Sequence, residues 1–501
     1  MRNLLLGVDI GTSGCKVAAF TPDGEVVCTQ TVEYPVYYPM EGWAEQDPNE
    51  WWSAVCSAIR SLFADGCIHP SEIAAIGVDG QSWSAIPITA SGEVLHRTPI
   101  WTDTRSWEIC QNLKETLDET QLFSISGNPL QPTYTLPKIL WFKEHIPEVY
   151  QRAHKILQSN SFIVYRLTGV MTQDLSQGYG YSCFDMHHGR WDPSVCHDVG
   201  LNPDLLPEIV ACHQVVGTVT GAASEATGLL QGTPVVAGGL DAACGALGVG
   251  VIENGQVQEQ GGQAGGMSIC LDDCRADPRL ILGQHVVPGK WLLQGGTVGG
   301  SGVVRWLEAQ FCAEERQAAQ TNGRSSYQEM DLQAQLIPPG SEGVIMLPYM
   351  AGERSPIWNP KAKGVFYGLD FSKTRAHMIR AGMESVAFSL QHNLMVAKEA
   401  GAHIARLRSM GGAANSRLWM QIKADVTGKA IDIPASDTAT TFGAAILAGV
   451  GVGIYPSFAS AVQQSIQIKK TYLPDPENHA RYKAAFAQYL DLYEAVKPLM
   501  K

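Results

Sequence analysis

The stretch LLLGVDIGTSGCKVAAF, Leu4 to Phe20, limits what the chain can become more than any other. An aliphatic run that reads as a buried strand ends on Asp9, a turn of Gly11, Thr12, Ser13 and Gly14 follows, and a second aliphatic run returns. Such a hairpin leaves backbone N–H groups and two hydroxyls facing open space, a nest suited to phosphate oxygens. Asp9 would repel a bare phosphate but attract the hydrated magnesium that accompanies a nucleotide. The competing reading makes Asp9 a simple cap of the turn. Neither GxxxxGK[ST] nor GxGxxG occurs, so no P-loop or dinucleotide fingerprint claims the phosphate role.

A second carboxylate, Asp241 in VVAGGLDAACGALG, has glycines before it and small residues after it. Clear space at a strand end is what a general base needs to take a proton from an alcohol, although the same residue could cap a helix through AACGALG. Further on, RSMGGAANSRLWMQIKADVTG sets Gly411 and Gly412 before Asn415 and an amphipathic helix. Paired glycines would let a flat purine approach the backbone, with Asn415 bonding to it; plain helix-start chemistry is the alternative.

With 501 residues the chain exceeds one ordinary core, and the hairpin texture of DIGTSGCKV returns in EQGGQAGGMSI. Two related halves facing one cleft are therefore expected. The expected division is residues 1–248 (first hairpin, Asp241), 249–455 (second hairpin) and 456–501 (a helical tail). PNEWWSAVCSAIRSLFADG after Asp47 reads as a helix, and PDGE and ASGE as hairpin turns. The 36 basic and 49 acidic residues give a net charge of −13 with no basic block, which argues against nucleic acid and anionic membrane as partners. No charged residue lies from Thr438 to Ile468, yet glycine, serine, glutamine and Pro456 there favour a buried helix and loop over a membrane span. The 12 cysteines are scattered without a CxxC pair, as expected of reduced core thiols in a cytoplasmic protein, and Met1 to Val8 is too short for a secretory apolar region.

Taken in order, GVDIGTSGCKV, GVDGQSWSAIPI, IWTDTRS, VYRLTG, GGLDAACGALGVG, PYMAGERSPIWNPKAKGVFYGL, MGGAANSRLWMQIKADVTG and FGAAILAGVGVGIY resemble the FGGY carbohydrate kinase family along nearly the whole chain. The GQ and WxDxR spacing is most similar to its xylulokinase members. The resemblance implies an α/β fold of two ribonuclease-H-like, actin-like ATPase domains around a central cleft, closing on ATP, Mg2+ and a small ketose or polyol. It makes Asp241 the catalytic base and Asp9 the catalytic, metal-associated residue acting through water. Gln81, Ser82, Trp83 and Asp103 are then expected at the sugar, and Gly11, Thr12, Ser13, Gly262, Gln263, Gly300, Gly411, Gly412 and Asn415 at the nucleotide. The chain departs from the family at Ser82-Trp83, where a Met-His pair is usual, at Ala242, where Asn is common, and at Gly262-Gln263-Ala264-Gly265, where Gly-Thr-Ser-Gly is usual. The rival classes are an actin-like filament or chaperone ATPase and an inactive sugar and nucleotide sensor. A homodimer is left open.

Overall fold

The opening stretch folds as its pattern predicts: β1 (Leu4–Ile10) runs antiparallel to β2 (Gly14–Phe20), and the Gly11 N–H donates to the Gly14 carbonyl at 3.1 Å to close the turn. The computed structural model describes residues 3–436 and 438–500. β3 (Val26–Glu33) joins β2 across the PDGE turn, and β4 (Ile73–Gly80) pairs in parallel with the other edge of β1. β5 (Val215–Thr218) and β6 (Pro234–Val236) extend the sheet to the order β5-β6-β4-β1-β2-β3, with the short strand Gly239–Leu240 also on β4. Helix Pro48–Ala64 starts where expected, because the Asp47 carboxylate accepts the Asn49 N–H and proline fills the first helical position.

A second sheet is built from β7 (Gln256–Gly261), β8 (Gly265–Leu271), β9 (Ile281–Gln284), β10 (Trp291–Thr297), β11 (Arg406–Met410), β12 (Ile431–Pro434) and β13 (Ile468–Tyr472). Its order is β9-β10-β8-β7-β11-β12-β13. The strands β7, β8, β10, β11 and β12 repeat the directions of β1, β2, β3, β4 and β6: a three-strand antiparallel meander, then two parallel strands beside the first. Each half thus has the ribonuclease-H-like arrangement. Residues 456–501, expected as a helical tail, also supply β13 to the second sheet, and helix Pro476–Val496 buries Tyr482, Tyr489 and Tyr493.

The uncharged stretch after Thr438 is a buried helix, Ala439–Gly451, followed by helix Phe458–Ser465. No helix among the described residues is long and apolar enough to cross a membrane. Alternation along β1 explains where the buried helix goes. Leu4, Leu6, Val8 and Ile10 pack on one face with the helix Pro48–Ala64, whereas Leu5, Gly7 and Asp9 point to the other. There helix Ala439–Gly451 lies so close that a Cβ on Gly7 would be 1.9 Å from the Thr441 carbonyl oxygen, and one on Gly77 of β4 1.9 Å from that of Ala444. The same helix crosses helix Asp241–Gly248 at a matching distance: a Cβ on Gly443 would be 1.9 Å from the Cys244 carbonyl oxygen.

These contacts predict that Gly443→Ala lowers stability by about 1–3 kcal/mol or more, the range for overpacking a dense core. Gly412→Ala, where an added Cβ meets nothing within 4 Å, should leave it unchanged. Urea unfolding midpoints compare the two, and equal midpoints would contradict the tight crossing.

Candidate active site

Strand pairing sets the charges of the cleft. Across β1 and its neighbours, Asp9 lies opposite Lys16 on β2 and level with Asp79 on β4, and Asp79 is level with Gly239, two residues before Asp241. Helix Ala439–Gly451 covers this row, and Thr440 Oγ1 donates to Asp9 Oδ2 at 3.0 Å. Asp79 is fully buried and neither of its oxygens meets a donor. Its contact with Asp9 is a hydrogen bond only when one of the two carboxyls keeps a proton. Burial, with the charges of Asp9 and Asp241, holds the Asp79 carboxyl well above the usual range, so it is the natural holder of that proton. Burial also raises Asp9, against the hydrogen bonds of Asp79 and Thr440 and the charge of Lys16. Asp241 is pushed up to about 7 by burial and by the Asp9 charge, with the Ala242 N–H, 2.6 Å from its Oδ1, opposing.

Asp241 opens helix Asp241–Gly248 but does not cap it: Leu240 is the N-cap residue, and the carboxylate faces a cavity of about 300 Å³ between the halves. Thr12, Ser82 and Trp83 line that cavity from the first half, Gly262 and Gln263 from the second. The first turn is braced from behind. Tyr34 Oη donates to the Gly11 carbonyl at 2.6 Å, Gln46 Nε2 to the Thr12 carbonyl at 2.8 Å, and Trp101 Nε1 to Thr12 Oγ1 at 2.9 Å. Ser13 is exposed at the tip. The second turn rests on the start of helix Ser301–Phe311, whose Ser301 and Gly302 N–H groups donate to the Gly262 and Gln263 carbonyls at 2.9 and 3.0 Å. Those amides are therefore taken, and Gly262, Gln263, Ala264 and Gly265 of the turn line the cavity.

Trp83 holds a left-handed conformation with φ of 60°, strained for an indole residue. Lys138, fully buried, fixes this turn by donating to the Trp83 and Ile100 carbonyls, each at 2.8 Å. The ring packs on Tyr134 and Tyr179 with centroids 4.7 and 6.0 Å away, and its buried N–H has no partner.

Of the expected site residues, Asp9, Gly11, Ser13, Gln81, Asp103, Gly300, Gly411, Gly412 and Asn415 do not line the cavity. Gln81 is 1% exposed and donates to Gln46 Oε1 at 2.8 Å, which makes it a brace of the first turn. Asp103 is fully buried; it pairs with Arg105 at 2.7 Å and accepts the Ala44 N–H at 2.7 Å. Arg105 in turn pairs with Glu45 at 2.7 Å and lies over Trp43, so no oxygen of Asp103 is left for a ligand. Gly300 packs on the second turn, where a Cβ would come within 2.2 Å of the Ala264 carbonyl carbon. Gly411, Gly412 and Asn415 are exposed beside that turn, and a Cβ on Gly411 would be 3.1 Å from the Gly261 carbonyl oxygen. Asp79, Thr440, Trp101 and Arg354 were not singled out from the sequence. GVDGQ did contain the signal for Asp79, an acid at the end of a second aliphatic run.

Residues 4–248 match the N-terminal domain of the FGGY family of carbohydrate kinases, and residues 277–452 match its C-terminal domain. The chain is 30% identical over 500 residues to the xylulose kinase of Escherichia coli (strain K12), covering 99% of this chain and 100% of that one. It is 28% identical over 495 residues to the gluconokinase of Bacillus subtilis (strain 168), covering 98% and 96%. The crystal structure of xylulose kinase from Rhodospirillum rubrum superposes with a TM-score of 0.91 at 27% identity, over 99% of this chain and 100% of that one. With both halves matched in order and the full length covered, the chain belongs to the FGGY family of carbohydrate kinases.

Proposed function

We propose that the protein transfers the γ-phosphoryl group of ATP to a terminal hydroxyl of a small ketose, D-xylulose, giving D-xylulose 5-phosphate and ADP. The observation that carries this reading is Asp241, a carboxylate with its pKa raised to about 7, in one cavity with both glycine turns. Asp241 takes the acceptor hydroxyl proton, the acceptor oxygen bonds to the γ-phosphorus, and the bond to the bridging oxygen breaks, its electrons leaving with ADP. Ser82 and the indole of Trp83 bind the acceptor, one through a hydroxyl and the other through its apolar face and unpaired N–H. Residues 1–248 carry the acceptor site, and residues 249–455 the nucleotide site with Gly262, Gln263, Gly411, Gly412 and Asn415. All twelve cysteines are free, which supports a cytoplasmic setting.

Asp9 fits a water-mediated magnesium site. Thr440 engages Oδ2, the Asp79 carboxyl also contacts the group, and Gly11 puts no side chain beside Oδ1, since a Cβ there would lie 3.9 Å from it. Among the described residues no group of three or more His, Cys, Asp or Glu is placed to grip a metal directly, a donor set that suits an ion keeping most of its waters. When bound there, Mg2+ neutralises phosphate charge.

A coupled ADP-release assay over pentuloses, polyols and aldonates should give the highest kcat/KM with D-xylulose. A higher value for an aldonate or polyol would move the acceptor assignment within the family. Asp241→Asn should keep ATP binding and lose ~10²–10⁴-fold in turnover; a loss of only a few-fold would remove Asp241 from the base role.

The acidic side of the pH profile follows from the same carboxyl. A base must be ionised, so with its pKa about 7 the kcat/KM should rise with pH to a plateau above about 7 and fall tenfold per unit well below it. A flat profile from pH 5.5 to 8 would be inconsistent with Asp241 as the proton acceptor.

A further inference from the structure

Among the described residues that line the central cavity, Asp241 is the one carboxylate and Arg354 the one cation. Arg354 sits in GERSP, within the marker PYMAGERSPIWNPKAKGVFYGL. Its two neighbours in the chain are tied down. Glu353 accepts from Thr297 Oγ1 at 2.6 Å, from the Val298 N–H at 2.9 Å and from the Arg354 N–H at 2.7 Å. The Ser355 hydroxyl accepts the Gly296 N–H at 2.6 Å and bonds Asn393 Oδ1 at 2.9 Å. Between these anchors the Arg354 side chain makes no hydrogen bond or ion pair among the described residues, and its Nε is buried without a partner.

Space is kept clear for this guanidinium, because a Cβ on Gly296 would come within 3.2 Å of Arg354 Nη2. On the other side it faces the first half, 5.8 Å from the centre of the Trp101 ring. Trp101 is the residue whose N–H holds Thr12 of the first glycine turn. The neighbouring Glu353 carboxylate offsets by its charge part of the cost of burying this cation but bonds none of its side-chain donors, and a planar guanidinium matches phosphoryl oxygens in two-pronged geometry. A neutral sugar hydroxyl would supply no charge.

We propose that Arg354 is a catalytic residue that contacts the phosphoryl group in transit, drawing its oxygens between the two halves as charge builds on them. The proposal rests on the kinase reaction but not on the identity of the acceptor. The Arg354 backbone is preorganised by Glu353 and Ser355, so its donors meet the group with little rearrangement.

The test compares wild type with Arg354→Met and Arg354→Lys, using circular dichroism and thermal unfolding to select folded variants. Arg354→Met should lower kcat by ~10²-fold or more, within the range for an arginine that meets a transferring phosphoryl group. KM for the acceptor and the Kd for ATP should change only a few-fold, and Arg354→Lys should recover part of kcat. A rise in acceptor KM with kcat kept would overturn the proposal and place Arg354 on the acceptor.

A second measurement needs no acceptor and no turnover: binding of ADP with and without aluminium fluoride, a mimic of the phosphoryl group in flight. Wild type should bind ADP at least tenfold tighter with aluminium fluoride present, and Arg354→Met should lose that gain while binding ADP alone as before. Equal gains in the two proteins, or no gain in wild type, would overturn the proposal. Failure of every sugar in the acceptor panel, with this difference intact, would instead reject the acceptor assignment alone.

Discussion

Backbone-to-backbone packing of helix Ala439–Gly451 on the first sheet and on helix Asp241–Gly248 is the contact on which the rest depends. Gly7, Gly77 and Gly443 allow it, since any side chain there would overlap a carbonyl oxygen. The two halves are thereby joined along their floor, and a cavity is left above it whose walls come from both. The same contact brings Thr440 to Asp9, so the helix that joins the halves also positions a carboxylate of the site.

The electrostatics of the cleft follow from sheet geometry. Parallel pairing sets Asp9 level with Asp79, and antiparallel pairing sets Lys16 opposite Asp9. Two adjacent buried carboxyls cannot both ionise cheaply, so one retains a proton and the other keeps its charge. That remaining charge, with burial, raises Asp241 towards neutral pH. A base poised near the working pH thus arises from strand register and depth of burial, with no histidine involved.

The local elements were legible because their signals are local. The aliphatic run before Asp9, the glycine turn, the Asp47-Pro48 helix start and the uncharged helix after Thr438 each appear as the pattern predicts. Asp241 and both glycine turns were legible for the same reason, each marked by small residues that clear space. Gln81 and Asp103 were placed at the sugar by resemblance; the structure sets Gln81 Nε2 on Gln46 and pairs Asp103 with Arg105, and neither residue lines the cavity. Gly300 likewise supports the second turn from beneath.

The sequence by itself determined two hairpin-led α/β halves, the carboxylates Asp9 and Asp241 at strand ends, and membership of a family recognised by ordered motifs. Alternation and turn chemistry act over a few residues, so a linear pattern carries them. Only the tertiary structure decided which acid neighbours which, that Asp79 is buried without a donor, and that Thr440 reaches Asp9. It also decided that Trp101 links Thr12 to Arg354, residues 342 positions apart at the two ends of that link. Those relations depend on strand register between distant segments and on how closely glycine lets backbones approach, and neither is written in the neighbourhood of any one residue.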